Sequence, residues 1–360
     1  MKTKIKTSQW IFLIGCLSVF FLINLLKRHP QYLEAYYSQK IYPFIFKISH
    51  SLFGVIPFPV GDILILVLIL LLPLVVYKVF LFIKKKKFTP LLINSMSIFF
   101  SVYIVFHITW GLNYHRITLN KKLGYDLQYS VEQLESTTLD IIQRINKLHS
   151  SLTINDTLAV EIPFTQSEIE MLLTQSTLYD MEDIFPSSVK NNLYVKKSFW
   201  SLFLSYMGFA GYVNPITLEA QVNSLMPSLS YITTAAHEMG HQLGIAAENE
   251  ANFIAFRATV SHPNRYFQYA GYLFGLRYTI GEYFINRPVE ARKLYGEVNL
   301  GIKKNIRQIS EFWEGFENPF EVIFKRGYDQ YLKAQGQRDG IETYSQMVAY
   351  LVDYHTDRTD

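Results

Sequence analysis

His237-Glu238-Met239-Gly240-His241, followed by Gly244 and then by Glu248 and Glu250, is the stretch from which this chain is best read. On an α-helix, positions i and i+4 lie about 40° apart around the axis, so the two imidazoles address one cation from one face. Glu238 sits at the edge of that face, where a carboxylate acts as general base on a metal-activated water. The residues around the motif, Thr234-Ala235-Ala236 and Gln242-Leu243, are uncharged, which suits a helix buried beneath a cleft. Two histidines leave a catalytic zinc one protein ligand short, with a further position open to water and substrate.

Gly244 predicts a left-handed helix end, and a second, mostly apolar helix is expected from Ile245 to Phe256, so the turn brings a carboxylate back to the metal. Glu248 is the first choice as third ligand. Asn252 lies four residues on, on the same helix face, placed to hydrogen-bond a ligand. Glu250 points about 200° away around that helix and is the fallback. The Glu-x-x-x-Asn arrangement is similar to the element that follows HExxH in glutamate-ligand zinc peptidases, at a shorter separation. The glycine after His241 instead resembles the turn of three-histidine zinc peptidases, whose third histidine would fall at Ala247, a residue that cannot ligate.

The 360 residues are 49% hydrophobic and 16% aromatic, which points to membrane segments. Three are expected, at about 10–26, 63–83 and 91–112, each near the length that crosses a bilayer. The first follows Lys2, Lys4 and Lys6 but lacks a small-x-small cleavage site after Asn24, so it reads as a retained anchor rather than a signal peptide. Lys84-Lys85-Lys86-Lys87 and the amino-terminal lysines belong on the cytoplasmic side, which places the chain after the third span outside. The segment 30–61 mixes Tyr36, Tyr37, Tyr42, Phe44 and Phe46 with polar residues. It reads either as a helix in the membrane interface or as a piece packed on the soluble part.

The single cysteine, Cys16, excludes an intrachain disulfide and a cysteine-ligated metal. The net charge of +4 is too small and dispersed for nucleic acid. His107 and His115 read as interface or core residues. Beyond residue 113 the pattern is α+β and mainly helical. Helices are expected at 130–148, 167–184, 265–285, 288–316 and 343–354, and strands within 193–213. The stretch Gly211 to Asn223, just before the motif helix, is either a substrate-binding edge or an ordinary core strand and loop.

Tyr36-Tyr37-Ser38, Ile41-Tyr42-Pro43, Phe53 to Asp62, Trp110-Gly111-Leu112-Asn113-Tyr114-His115-Arg116, Gly211 to Asn223 and His237 to Phe256 together resemble an uncharacterised family of bacterial multi-pass membrane proteins with an HExxH motif, catalogued as a domain of unknown function. The resemblance implies a membrane-anchored, zinc-peptidase-like protein and brings no substrate.

The expected architecture is a membrane domain, 1–112, followed by an extracytoplasmic zincin-like domain, 113–360. The expected function is a zinc-dependent endopeptidase of the cell membrane, with peptide or protein substrates and lipid as its surroundings. His237, His241 and Glu248 (or Glu250) hold Zn2+, and Glu238 is the base. Two alternatives stand beside it: an intramembrane protease, disfavoured by the polar residues flanking the motif, and a non-enzymatic receptor or assembly factor with a structural or vestigial zinc site.

Overall fold

The computed structural model describes residues 6–176, 185, 189, 191–337 and 344–357. The chain divides into two compact units, one of residues 1–116 with 214–219 and one of 117–213 with 220–360.

The first unit holds three helices long and apolar enough to cross a membrane, Thr7–Leu26, Val60–Lys84 and Phe88–Thr109. The protein is therefore membrane-associated. Thr7–Leu26 packs against Phe88–Thr109. Their polar residues meet one another, Gln9 donating to Asn94 at 3.0 Å and Lys27 to the Tyr103 hydroxyl at 2.9 Å. The third helix stops at Thr109, short of the expected residue 112, because the chain tightens into a 3-10 turn over Gly111–His115. Val60–Lys84 buries only Gly61 and Asp62. Its first turn leaves backbone N–H groups without helical partners, and the buried Glu219 carboxylate accepts from Val60 at 3.1 Å and Gly61 at 2.5 Å. Between Thr7–Leu26 and Val60–Lys84, the pieces Pro30–Tyr32, Leu33–Ile41, Tyr42–Ser49 and His50–Gly54 form consecutive helical turns, the second and fourth of π type.

The second unit is α+β and mainly helical. Its sheet has the order β1-β3-β2, with β1 (Val195–Lys197) parallel and β2 (Gly211–Val213) antiparallel to the central β3 (Ala220–Val222). The motif helix, Ser228–Gln242, packs on this sheet and on Glu248–Val260. Gly240 sets the second contact, since a Cβ there would meet the Ile254 side chain at 3.3 Å. Helix Arg265–Asn286 then lies across Glu248–Val260 and Val131–Leu152. Its Gly271 and Gly275 share a face, and a Cβ on either would overlap Thr259 or Phe256. Bare glycine thus permits the close crossing that fixes Glu248–Val260 from behind.

Several sequence expectations change. Residues 193–213 are not all strand, because Ser201–Met207 is a helix between β1 and β2. It buries Ser201, Leu204 and Ser205 and exposes Leu202, Phe203 and Tyr206, so small polar residues face inward and the aromatic alternation mimicked a strand. The helix expected from Ile245 begins at Glu248. The segment 288–316 is two helices, Pro288–Gly296 and Leu300–Glu314. At the second, Gly301 runs so close to the Leu158 carbonyl that a Cβ would overlap it. The helix expected over 167–184 is described as Gln166–Ser176, and its remainder, 177–184, lies outside the described residues. The last expected helix spans Tyr344–Thr356. Glu321–Ala334 was not expected at all.

Candidate metal centre

The motif helix ends as its sequence requires. Gly244 takes φ +81°, the Gly244 N–H donates to the His241 carbonyl and that of Ile245 to Gly240. Residues 245–247 stay extended enough to reverse the chain, and Glu248 becomes the first residue of the next helix, behind Ala247. That position turns its side chain back toward the motif helix.

Ligand atoms of His237, His241 and Glu248 lie within 4.8 Å of one another. Glu248 Oε2 is 3.3 Å from His237 Nε2, and Oε1 is 3.7 Å from His241 Nε2. The imidazole centroids are 4.6 Å apart and perpendicular. Donor atoms about 2.0 Å from a tetrahedral zinc stand about 3.3 Å from each other, so the carboxylate–imidazole distances of 3.3 and 3.7 Å fit such an ion. His241 is held in the matching tautomer: its Nδ1–H donates to the Ile245 carbonyl at 2.6 Å, leaving the Nε2 lone pair for the cluster. His237 is hydrogen-bonded by Asn252, the supporting residue expected from the sequence. Side-chain exposures of 13% for His237 and 21% for Glu248, against 7% for His241, show which side of the cluster solvent reaches.

The electrostatics follow from burial and from this one carboxylate. Burial opposes a charge on Glu248, but the hydrogen-bonded His237, the charge of both imidazoles and the Tyr328 hydroxyl hold it down at about 2. Burial depresses His237 too, and Glu248 with Glu238 reverses this and leaves it raised. His241 is pushed down to about 4 by burial, against the pull of Glu248. Burial drives Glu238 up to about 8, with the Glu248 charge adding to it and His237 opposing. Its Oε2 is buried without a hydrogen-bond partner. A carboxylate so placed favours holding a proton and is poised to exchange one near neutrality.

Glu250, the fallback ligand, is turned elsewhere. Its Oε1 accepts from the Leu119 N–H at 2.8 Å and lies 3.5 Å from the Tyr350 hydroxyl. The sequence reading named the stretch Gly211 to Asn223 but neither Tyr328 nor the approach of Gly211 to Glu238. Tyr328, on Glu321–Ala334, donates to Glu248 Oε1 at 2.6 Å, and the Phe209 ring rests against it at 5.4 Å. Gly211, the first residue of β2, runs beside the Glu238 carboxylate, since a Cβ there would lie 2.7 Å from Glu238 Oε1. Nothing in local periodicity marks one tyrosine among 25 or one glycine among 18.

No curated protein and no solved structure matches the chain. The model of the family described as "Protein of unknown function (DUF3810)" matches residues 37–352, a span that takes in the apolar helices from Val60 onward and the whole histidine–carboxylate cluster, and the chain belongs to that family.

Proposed function

We propose that this protein is a membrane-anchored, zinc-dependent endopeptidase. The observation that carries the reading is the convergence of His237, His241 and Glu248 with the buried Glu238 carboxylate one residue from the first ligand. The donor set of two nitrogens and one carboxylate is that of a catalytic rather than a structural zinc. When bound, zinc supplies a Lewis acid that lowers the pKa of water toward about 7 and polarises a carbonyl.

The protein's own groups do the rest. Glu238 takes a proton from the attacking water and passes it to the departing amine as the peptide bond breaks. Tyr328 steadies Glu248 through its hydroxyl. In the order β1-β3-β2, β2 is an edge strand of the described sheet, and it starts at Gly211 beside Glu238. An extended peptide added to that edge brings its backbone to the base. With the lysine clusters on the cytoplasmic side, the site works outside the cytoplasm.

The test is the purified full-length protein in detergent, analysed for bound metal and for cleavage of a peptide library, wild type against Glu238→Gln. The expected result is zinc in both and hydrolysis in the wild type alone. Equal hydrolysis in the two, or no zinc in the wild type, overturns the proposal.

A further inference from the structure

The helical run from Pro30 to Gly54 has two unlike faces. Its inner face is fastened within the first unit. Arg116 pairs with the buried Glu34 carboxylate through Nε at 3.2 Å and a terminal nitrogen at 3.1 Å, and the Tyr37 hydroxyl donates to the Ile108 carbonyl at 3.0 Å. Tyr42 and Phe46 are fully buried, Tyr42 against Trp110. The outer face is apolar and uncovered. Tyr36, Ile41, Phe44, Ile48, Leu52 and Val55 are all exposed, from 44% at Ile48 to 74% at Val55.

These six follow one another at steps of five, three, four, four and three residues, one per turn. The step of five falls in the π-helical stretch Leu33–Ile41, where the wider turn keeps Tyr36 and Ile41 in line. Burying such a ridge from water gains roughly 25 cal/mol for each Å² covered, so an uncovered ridge of this length calls for a partner.

We infer that the ridge lies in the lipid at the membrane surface, parallel to the bilayer plane. Three observations name this occupant. The segment leaves the span ending at Leu26 and enters the span starting at Val60, so both of its ends are held where spans meet the membrane surface. The charges on its exposed side, Lys40 and Lys47, are positive, and its acidic residue Glu34 is paired inside, which suits anionic headgroups. Lys2, Lys4 and Lys6 share a side with Lys84 to Lys87 only if the chain crosses an even number of times between them. The two spans supply that number, and a crossing by this segment would break it. The inference does not depend on the peptidase reading.

The experiment uses the full chain with Cys16→Ala and a single new cysteine carrying a fluorophore, Phe44→Cys or Leu52→Cys, in vesicles of phosphatidylethanolamine and phosphatidylglycerol. Leu72→Cys, within a span, and Lys304→Cys, exposed in the second unit, are the references. Lipids brominated near the headgroup should quench the labels at 44 and 52 more than lipids brominated deep in the chain, with the reverse at 72 and no loss at 304. Quenching at 44 and 52 no greater than at 304 overturns the inference. So does fluorophore self-quenching between copies labelled at 44 without lipid quenching, which would make the ridge a protein interface. None of these readouts involves metal or hydrolysis.

Discussion

Tyr328 donates its hydroxyl hydrogen to Glu248 Oε1 across 2.6 Å, joining the helix Glu321–Ala334 to the carboxylate that lies beside the histidine pair. The bond fixes the carboxylate's orientation toward His237 and His241. Support of this kind is worth about 10- to 100-fold in metal affinity. Tyr328→Phe is therefore expected to weaken zinc binding by that order while leaving the fold intact. Competition with a chelator, read alongside thermal unfolding, checks it.

The two acids after the motif should behave oppositely. Glu248→Ala removes the proposed third ligand and is expected to abolish stoichiometric zinc. Glu250→Ala strands the buried Leu119 N–H that the carboxylate satisfies, which costs about 1–3 kcal/mol of stability, and should leave zinc bound. Metal analysis and denaturant unfolding of both variants separate the roles.

Gly211→Ala tests the approach of β2 to the base. The new methyl would fall 2.7 Å from Glu238 Oε1 and 2.8 Å from the Gln221 carbonyl, a backbone atom of the paired strand. Strand and carboxylate must part. Because displacements near 1 Å cost about 100-fold in well-aligned chemistry, hydrolysis should fall by roughly that order with zinc content unchanged. Rates and metal content on one preparation decide it.

Acid sensitivity is expected from His262, which lies away from the cluster. The buried ring stacks on Phe267 at 4.1 Å, its Nδ1 accepts from the Asn264 N–H at 3.0 Å and its Nε2–H donates to the Leu172 carbonyl at 3.3 Å. Burial lowers its pKa from the usual 6.5. The unfolded chain therefore binds the proton first as pH falls, so the stability this neutral ring contributes is full above pH 6.5 and is lost progressively below it. Melting temperature should drop on acidification, and His262→Gln should flatten the drop. Melting curves between neutral and mildly acidic pH measure it.

Much of this was legible in local sequence because the signals are periodic. The i, i+4 histidines, the adjacent base, the glycine stop at Gly244 and the uncharged runs are set by the helix repeat and by bilayer thickness, which act within a few turns of chain. The inverted helix Ser201–Met207 shows where periodicity misleads: its serines bury by bonding backbone carbonyls and one another, as Ser201 does with Ser198 and Ser224. Aromatic residues are left outside, and no hydrophobic pattern encodes that.

By itself, then, the sequence determined two imidazoles and a carboxylate on one helix face, and three apolar helices to hold the chain at a membrane. Only the tertiary structure brought Glu248 rather than Glu250 to the histidine pair, because the placement depends on where residues 245–247 reverse the chain and on Glu250 bonding to Leu119 and Tyr350 instead. It alone brought Tyr328 across 80 residues to Glu248 and Gly211 to Glu238. Such contacts are closed by packing between distant segments, whose energy is non-directional and spread over many side chains, so no local spacing records them.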